Sequence, residues 1–222
     1  MKNLLHLLLL SSVLFACEAT ENNAADTTAS NEESQPAAEA AVEYQPIDTD
    51  EALVATALMA APKASREGAT VIGYNTAGEF VTLREGNNEF ICLADNPQQD
   101  GFNAACYHRS LEPFMSRGRA LKAQGKNAME IFDIREEEAK AGTLQMGDPG
   151  ATLHIYYGPE SAYDPATGEV QKAQYRYVVY MPFATAESTG LPERPVAPNH
   201  PWIMDPGTHR AHIMITPLAE GE

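Results

Sequence analysis

Basic residues are scarce in this sequence. Its 222 residues contain 15 Lys and Arg against 31 Asp and Glu, which gives a formal net charge of −16. Residues 18–51 hold ten of these acids and no Lys or Arg. Nucleic acids and anionic lipid surfaces are bound through clusters of Lys and Arg, so the charge balance argues against both as partners of the protein surface.

Long apolar runs are also missing, except near the N-terminus. There, Lys2 precedes an apolar stretch at residues 4–10 that only His6 interrupts, and Leu14-Phe15-Ala16-Cys17 follows. The stretch is shorter than the roughly 20 apolar residues that a transmembrane helix needs. The segment resembles the signal peptide and lipobox of bacterial lipoproteins, with Leu14 first, Ala16 before the cleavage point and Cys17 as the modified residue.

This resemblance implies a lipid anchor on Cys17. Residues 1–16 would be removed, and the lipid chains on Cys17 would hold the protein to a membrane of the bacterial cell envelope. The outer membrane is favoured over the inner one, with the domain in the periplasm or at the cell surface. The alternative is an ordinary secretory signal that lies beside a chance cysteine.

Cysteines are few, and their number fits export. With Cys17 carrying the lipid, Cys92 and Cys106 remain as a pair in an oxidising compartment. We therefore predict a disulfide between them, which would contribute about 3 kcal/mol for a loop of this length. The alternative is two buried free thiols.

Large apolar side chains are almost absent between residues 18 and 46. This segment consists mainly of Ala, Glu, Asn, Thr and Ser, which cannot bury enough surface to offset the entropy of ordering. We predict that residues 17–47 comprise the lipidated cysteine and a disordered, acidic tether. The globular domain is predicted to begin near Asp48 and to span residues 48–222.

The pattern of the domain predicts an α+β fold, a single domain with one antiparallel β-sheet of about six strands and two to three helices. Helices are predicted after the capping residues Asp48, Ser110 and Asp133, with the acidic run 136–138 on a solvated face. Residues 129–132 are predicted to be extended. The predicted strands are 69–74, 79–84, 89–94, 152–157, 175–183 and 211–216, the first three forming an antiparallel meander.

The common catalytic signatures are missing. The sequence has no Gly-x-Ser-x-Gly, His-Glu-x-x-His, Cys-x-x-Cys or Gly-x-Gly-x-x-Gly motif. The most suggestive segment is 199–212, whose candidate ligands for a divalent metal are His200, Asp205, His209 and His212. A metal with an open position could activate water there. The alternative is that Asp205-Pro206-Gly207 forms a turn and the histidines cap, stack or lie on the surface.

Two further features are candidates for a site. Cys106 and His108 have the residue types of a nucleophile pair, although a disulfide would remove the thiolate. His154 and Tyr156 share a face of one predicted strand, and Arg176 lies on the next. If the proline-rich loop 185–208 places Trp202 over the sheet, these four residues would form a cleft for a small organic ligand. The alternative is that they are half-buried sheet residues.

Two functions are consistent with these observations. In the first, the protein is a non-catalytic component of the cell envelope that binds a small molecule or an envelope protein. In the second, it is a metal-dependent hydrolase centred on residues 200–212, with a divalent cation as its cofactor. The first is favoured because catalytic signatures are missing.

Overall fold

The computed structural model describes residues 42–217, and within them the chain forms a single α+β domain. The predicted fold class is therefore confirmed. The described part of the chain contains four α-helices and ten strands. The helices are α1 (Asp50–Met59), α2 (Glu112–Ala123), α3 (Ala128–Lys140) and α4 (Ala186–Thr189). The strands are β1 (Gln45–Pro46), β2 (Thr70–Tyr74), β3 (Phe80–Arg84), β4 (Phe90–Leu93), β5 (Phe102–His108), β6 (Thr152–Gly158), β7 (Ala162–Tyr163), β8 (Gln174–Tyr180), β9 (Trp202–Met204) and β10 (His212–Ile215).

Eight of these strands form one mixed sheet in the order β3-β2-β4-β5-β6-β8-β10-β9. All neighbours are antiparallel except β2 and β4, which pair in parallel. The predicted meander of the first three strands is therefore wrong. The chain forms the β2–β3 hairpin and then returns to place β4 on the other side of β2, so β3 lies at the sheet edge.

The two faces of the sheet bury different apolar clusters. One face, called here the α1 face, packs Cys92, Cys106 and Tyr156 against Leu53 and Ala57 of α1. The opposite face, called the α2 face, buries Ile91, Tyr107, Val178 and Met214 with Leu111 and Phe114 of the α2 region. Residues directly opposite in the pairing share a face, which fixes the side of each strand residue.

The helix that the sequence predicted after Asp133 begins earlier. Asn127 caps α3, because its side chain accepts hydrogen bonds from the backbone N–H groups of Met129 and Glu130 while the Glu130 carboxylate accepts from the Asn127 N–H. This capping box starts a continuous helix that includes residues 129–132. The prediction of an extended segment there is wrong, because no Gly or Pro interrupts the helix once Asn127 has started it.

The folded part also begins before the predicted boundary. Gln45 and Pro46 pair with Tyr163 and Ala162, and Ile47 is buried in the cluster of the α1 face. Thr49, rather than Asp48, caps α1 by accepting a hydrogen bond from the Ala52 N–H. The predicted signal peptide, Cys17 and most of the predicted tether lie outside the described residues.

Candidate functional site

The disulfide predicted from the cysteine count is confirmed. Cys92 and Cys106 are directly opposite each other on β4 and β5 and form a disulfide. Both residues are fully buried, and the Cys106 Sγ lies 3.3 Å from the Ala57 carbonyl oxygen of α1. Cys106 is therefore not a nucleophile in this state, and the predicted Cys106–His108 pair does not form. The His108 imidazole instead lies beside Ser110, with 2.9 Å between Nδ1 and the hydroxyl oxygen.

The four predicted metal ligands each have another partner. The Asp205 carboxylate accepts a hydrogen bond from Arg210 Nε at 2.7 Å, in a turn closed by the Thr208 N–H on the Asp205 carbonyl. His200 Nδ1 lies 2.7 Å from the carbonyl oxygen of Pro201, and His212 Nδ1 lies 2.7 Å from that of Arg210. The fourth, His209, is fully buried against α3.

The predicted metal site is consequently not present in this arrangement. Within residues 42–217, no three or more His, Cys, Asp or Glu side chains are grouped so that they could hold a metal ion. The physical reason is that the turn at 205–211 directs His209 towards α3, where a carboxylate already holds it. The alternative stated from the sequence, that Asp205-Pro206-Gly207 is a turn, describes the observed structure.

The carboxylate that holds His209 belongs to Glu136. Glu136 Oε2 accepts hydrogen bonds from the backbone N–H of His209 at 2.7 Å and from its imidazole Nδ1 at 2.6 Å, while Lys140 Nζ lies 2.6 Å from Oε1. Burial alone would raise the pKa of this carboxyl, but the hydrogen bonds from Lys140 and His209 outweigh it and lower the pKa to about 2. Glu136 is therefore ionised and largely enclosed. The prediction that the acidic run 136–138 lies on a solvated face is wrong for this residue.

His209 is neutral in this environment. Burial lowers the pKa of its imidazole, and the hydrogen bond to Glu136 only partly offsets that effect. Because the ionised carboxylate accepts from Nδ1–H, the lone pair lies on Nε2, which is buried and has no hydrogen-bond partner within the described part of the chain.

Aromatic and guanidinium groups enclose this imidazole. The rings of Phe132 and Phe114 lie edge-on to it, with centroids 4.8 and 5.9 Å away. The Arg210 guanidinium lies 5.2 Å from the Phe132 ring centroid, and that of Arg135 lies 4.1 Å from the Phe114 centroid. The result is a closed stack of rings and cations between α2, α3 and the turn before β10.

An imidazole that is oriented by a carboxylate can act as a general base. His209, however, is not accessible to a substrate, and no nucleophile is bonded to its Nε2 among the described residues. General base catalysis needs the imidazole within hydrogen-bond reach of the proton that it removes. His209 is fully buried, and no hydroxyl or thiol among residues 42–217 is bonded to Nε2. In this conformation, the Glu136–His209 pair therefore has a structural role, because its two hydrogen bonds hold the 205–211 turn against α3.

The four residues of the predicted ligand cleft are divided between the two faces of the sheet. His154 and Tyr156 lie opposite Tyr177 and Tyr175 on the α1 face, as the predicted alternation requires. Trp202 lies opposite Met214 on the α2 face, and Arg176 is on that same side.

The predicted cleft therefore does not form, because the sheet separates the two pairs. Tyr156 is buried, and its hydroxyl accepts a hydrogen bond from the Val170 N–H at 2.9 Å. The Arg176 guanidinium stacks on Tyr157, with its carbon 4.8 Å from the ring centroid.

Two open clefts occur elsewhere on the surface. One of about 430 Å³ is lined by Arg109, Ser110, Gln145 and Asp148, among others. Another of about 320 Å³ is lined mainly by Pro149, Gly150, Met181 and Pro182. No sequence motif indicated either cleft, because the lining residues come from segments that are far apart in the chain. The Ser110 hydroxyl already has hydrogen-bond partners within the fold, because it accepts a hydrogen bond from the Asp148 N–H and lies beside the His108 imidazole.

Within residues 42–217, no helix is long and apolar enough to cross a membrane. Comparison with known proteins gave no matching family model, no matching curated protein and no matching solved structure.

Proposed function

We propose that this protein is a membrane-anchored lipoprotein of the bacterial cell envelope, whose folded domain binds a ligand or a protein partner without catalysing a reaction. The anchor would be the lipid on Cys17, with the outer membrane favoured over the inner one. The observation that carries this proposal is the Cys92–Cys106 disulfide in a chain that begins with a lipobox-like segment. A buried structural disulfide is typical of an oxidising compartment such as the periplasm or the cell surface.

The arrangement of the candidate catalytic groups favours a non-catalytic role over the metal-dependent hydrolase. The groups that the sequence offered for catalysis are engaged by the fold itself. Cys106 is in the disulfide, Asp205 binds Arg210, and His209 is enclosed with Glu136. A hydrolase centred on residues 200–212 would need its side chains to converge on a substrate, whereas Asp205 is held by Arg210 of the same loop and His209 by Glu136 of α3.

Replacing the anchoring cysteine tests the localisation. In bacteria expressing the full chain, Cys17→Ala should abolish labelling by radioactive palmitate and release the protein from the membrane fraction, because a single thiol carries the lipid. The control is Ser12→Ala in the same segment, which should keep both labelling and membrane association. Unchanged palmitate labelling and membrane association in the Cys17→Ala variant would contradict the proposal.

A further inference from the structure

The two edges of the main sheet differ in how they are protected. At one edge, the short strand β9 is covered by the proline-rich loop, whose Pro192 carbonyl accepts a hydrogen bond from the Ile203 N–H at 3.0 Å. At the other edge, β3 pairs only with β2. No backbone hydrogen bond from residues 80–84 to any other part of the described chain is present. Its outer row of N–H and C=O groups therefore has no partner among the described residues and can pair with a further strand.

The side chains of β3 do little to discourage such pairing. Natural edge strands are usually blocked by Lys, Pro or an inward-pointing charge, and β3 (Phe-Val-Thr-Leu-Arg) has only Arg84, which donates a hydrogen bond to the Arg66 carbonyl. Phe80 is 44% exposed and contacts the 38% exposed Tyr74 edge-on, with ring centroids 5.3 Å apart. An added strand would cover the Phe80 ring on one face while its backbone paired with β3.

Charge at the ends of β3 indicates what kind of strand would fit. Glu79 and Glu85 flank the strand, both are exposed, and neither forms an ion pair with another described residue. A second copy pairing antiparallel about Thr82 would place Glu79 opposite Glu85 of the other molecule, and directly opposed like charges destabilise a sheet. The net charge of −16 adds to this repulsion. Opposite charges across from the glutamates would instead be favourable.

We infer that the outer edge of β3 binds an extended segment of another protein. The central residues of this segment are uncharged, and a Lys or Arg lies at each of its ends. The segment adds a ninth strand to the sheet, its basic ends lie against Glu79 and Glu85, and its side chains cover Phe80 on the α2 face. Five residues of β3 span about 17 Å, which matches an occupant of five to seven residues. This inference rests on the proposed binding function and identifies its partner surface.

The test uses the mature chain with Cys17→Ser and a labelled, end-capped peptide Lys-Thr-Val-Thr-Val-Thr-Lys, followed by fluorescence anisotropy. We expect saturable binding, with hydrogen-exchange protection gained at residues 80–84. The same peptide with Glu at both ends should bind about tenfold more weakly, since reversing two cross-strand charge pairs changes the affinity by roughly that factor.

Backbone pairing is tested with two N-methylated forms of the peptide, modified on alternate residues. Only one edge of the added strand faces β3, so one form should lose binding and the other should keep it. The double variant Glu79→Lys/Glu85→Lys should reverse the preference between Lys-ended and Glu-ended peptides. Its control, Glu187→Lys/Glu193→Lys, makes the same change of charge at two exposed positions away from β3 and should leave the preference unchanged.

Several results would overturn the inference. These are no saturable binding up to millimolar peptide, equal binding of both N-methylated forms, and protection that appears outside β3. Light scattering that shows a dimer of the mature chain, with β3 protected in it, would replace the partner by a second copy. The experiment is done without the lipid, so its failure is separable from a failure of the Cys17 labelling experiment.

Discussion

The Glu136 carboxylate binds three groups, which are the backbone N–H and the imidazole of His209 and the ammonium of Lys140. It accepts two hydrogen bonds from His209 at the turn before β10 and binds Lys140 one helical turn along α3. A buried donor that loses its acceptor retains the full cost of desolvation, which exceeds the net value of an ordinary hydrogen bond. Glu136 therefore stabilises the 205–211 turn together with the Asp205–Arg210 pair and the backbone hydrogen bonds of the turn.

Removing the Glu136 side chain should consequently destabilise the fold. We expect Glu136→Ala to lower the free energy of unfolding by roughly 2–3 kcal/mol, because it leaves the buried His209 Nδ1–H and backbone N–H without an acceptor. Urea denaturation measures this change. Glu137→Ala, at the exposed neighbouring position on α3, is the control and should change the free energy of unfolding by less than about 0.5 kcal/mol.

The Glu136–His209 pair also predicts that the free energy of unfolding decreases at low pH. The pKa of Glu136 is about 2 in the folded protein, against an ordinary value of 4.5. A carboxyl with a depressed folded-state pKa stabilises the protein fully above the unfolded value and loses that contribution as the pH falls from about 4.5 towards 2. The difference in free energy of unfolding between the original chain and Glu136→Ala should shrink over this range. A difference that stays constant down to pH 2 would contradict the assigned role.

At the scale of the elements, α3 shows how a cap outweighs local strand preference. Ile131 and Phe132 favour a strand, and this preference led to the prediction of an extended segment at residues 129–132. The capping box of Asn127 and Glu130 starts the helix before them, and Phe132 then contacts His209. The sequence contained the correct signal, an Asn followed three residues later by a Glu, but Asp133 offered a similar spacing six residues further on.

Replacing Asn127 tests this cap. Asn127→Ala should lower the free energy of unfolding by about 1 kcal/mol, because two N–H groups at the first turn of α3 lose their acceptor. Asn127→Asp keeps an acceptor oxygen at the same position and should recover most of that loss. Thermal unfolding followed by circular dichroism measures both variants. Equal destabilisation by Ala and Asp would show that the capping oxygen does not matter.

At the scale of the whole molecule, the sequence predicted the features that depend on local patterns and missed those that depend on long-range pairing. The α+β class follows from short periodic segments, and the disulfide follows from the number of cysteines and the compartment. β5 was missed because its centre, Asn-Ala-Ala, lacks the β-branched residues that mark strands, although the sheet places Ala104 under α1.

The predicted ligand cleft was also wrong because local patterns do not reveal how distant strands pair. Alternation along one strand correctly placed His154 and Tyr156 together, but no local pattern states that Trp202 of β9 lies on the opposite face. That outcome depends on the pairing register of β10 with both β8 and β9. The predicted metal ligands are not grouped together for a related reason, since Glu136, which holds His209, lies 73 residues away in the chain.

The disulfide allows a prediction about the stability of the entire domain. It closes the loop between Cys92 and Cys106, which are 14 positions apart in the sequence. It also joins two central strands that pack against α1. Restricting the unfolded chain in this way should contribute about 3 kcal/mol, so the double variant Cys92→Ala/Cys106→Ala should unfold at a correspondingly lower urea concentration. In the Cys17→Ala chain, unfolding without reductant should expose no titratable thiol, and reduction should expose two. Two thiols already titratable before reduction would contradict the bridge and, with it, the expectation of an oxidising compartment.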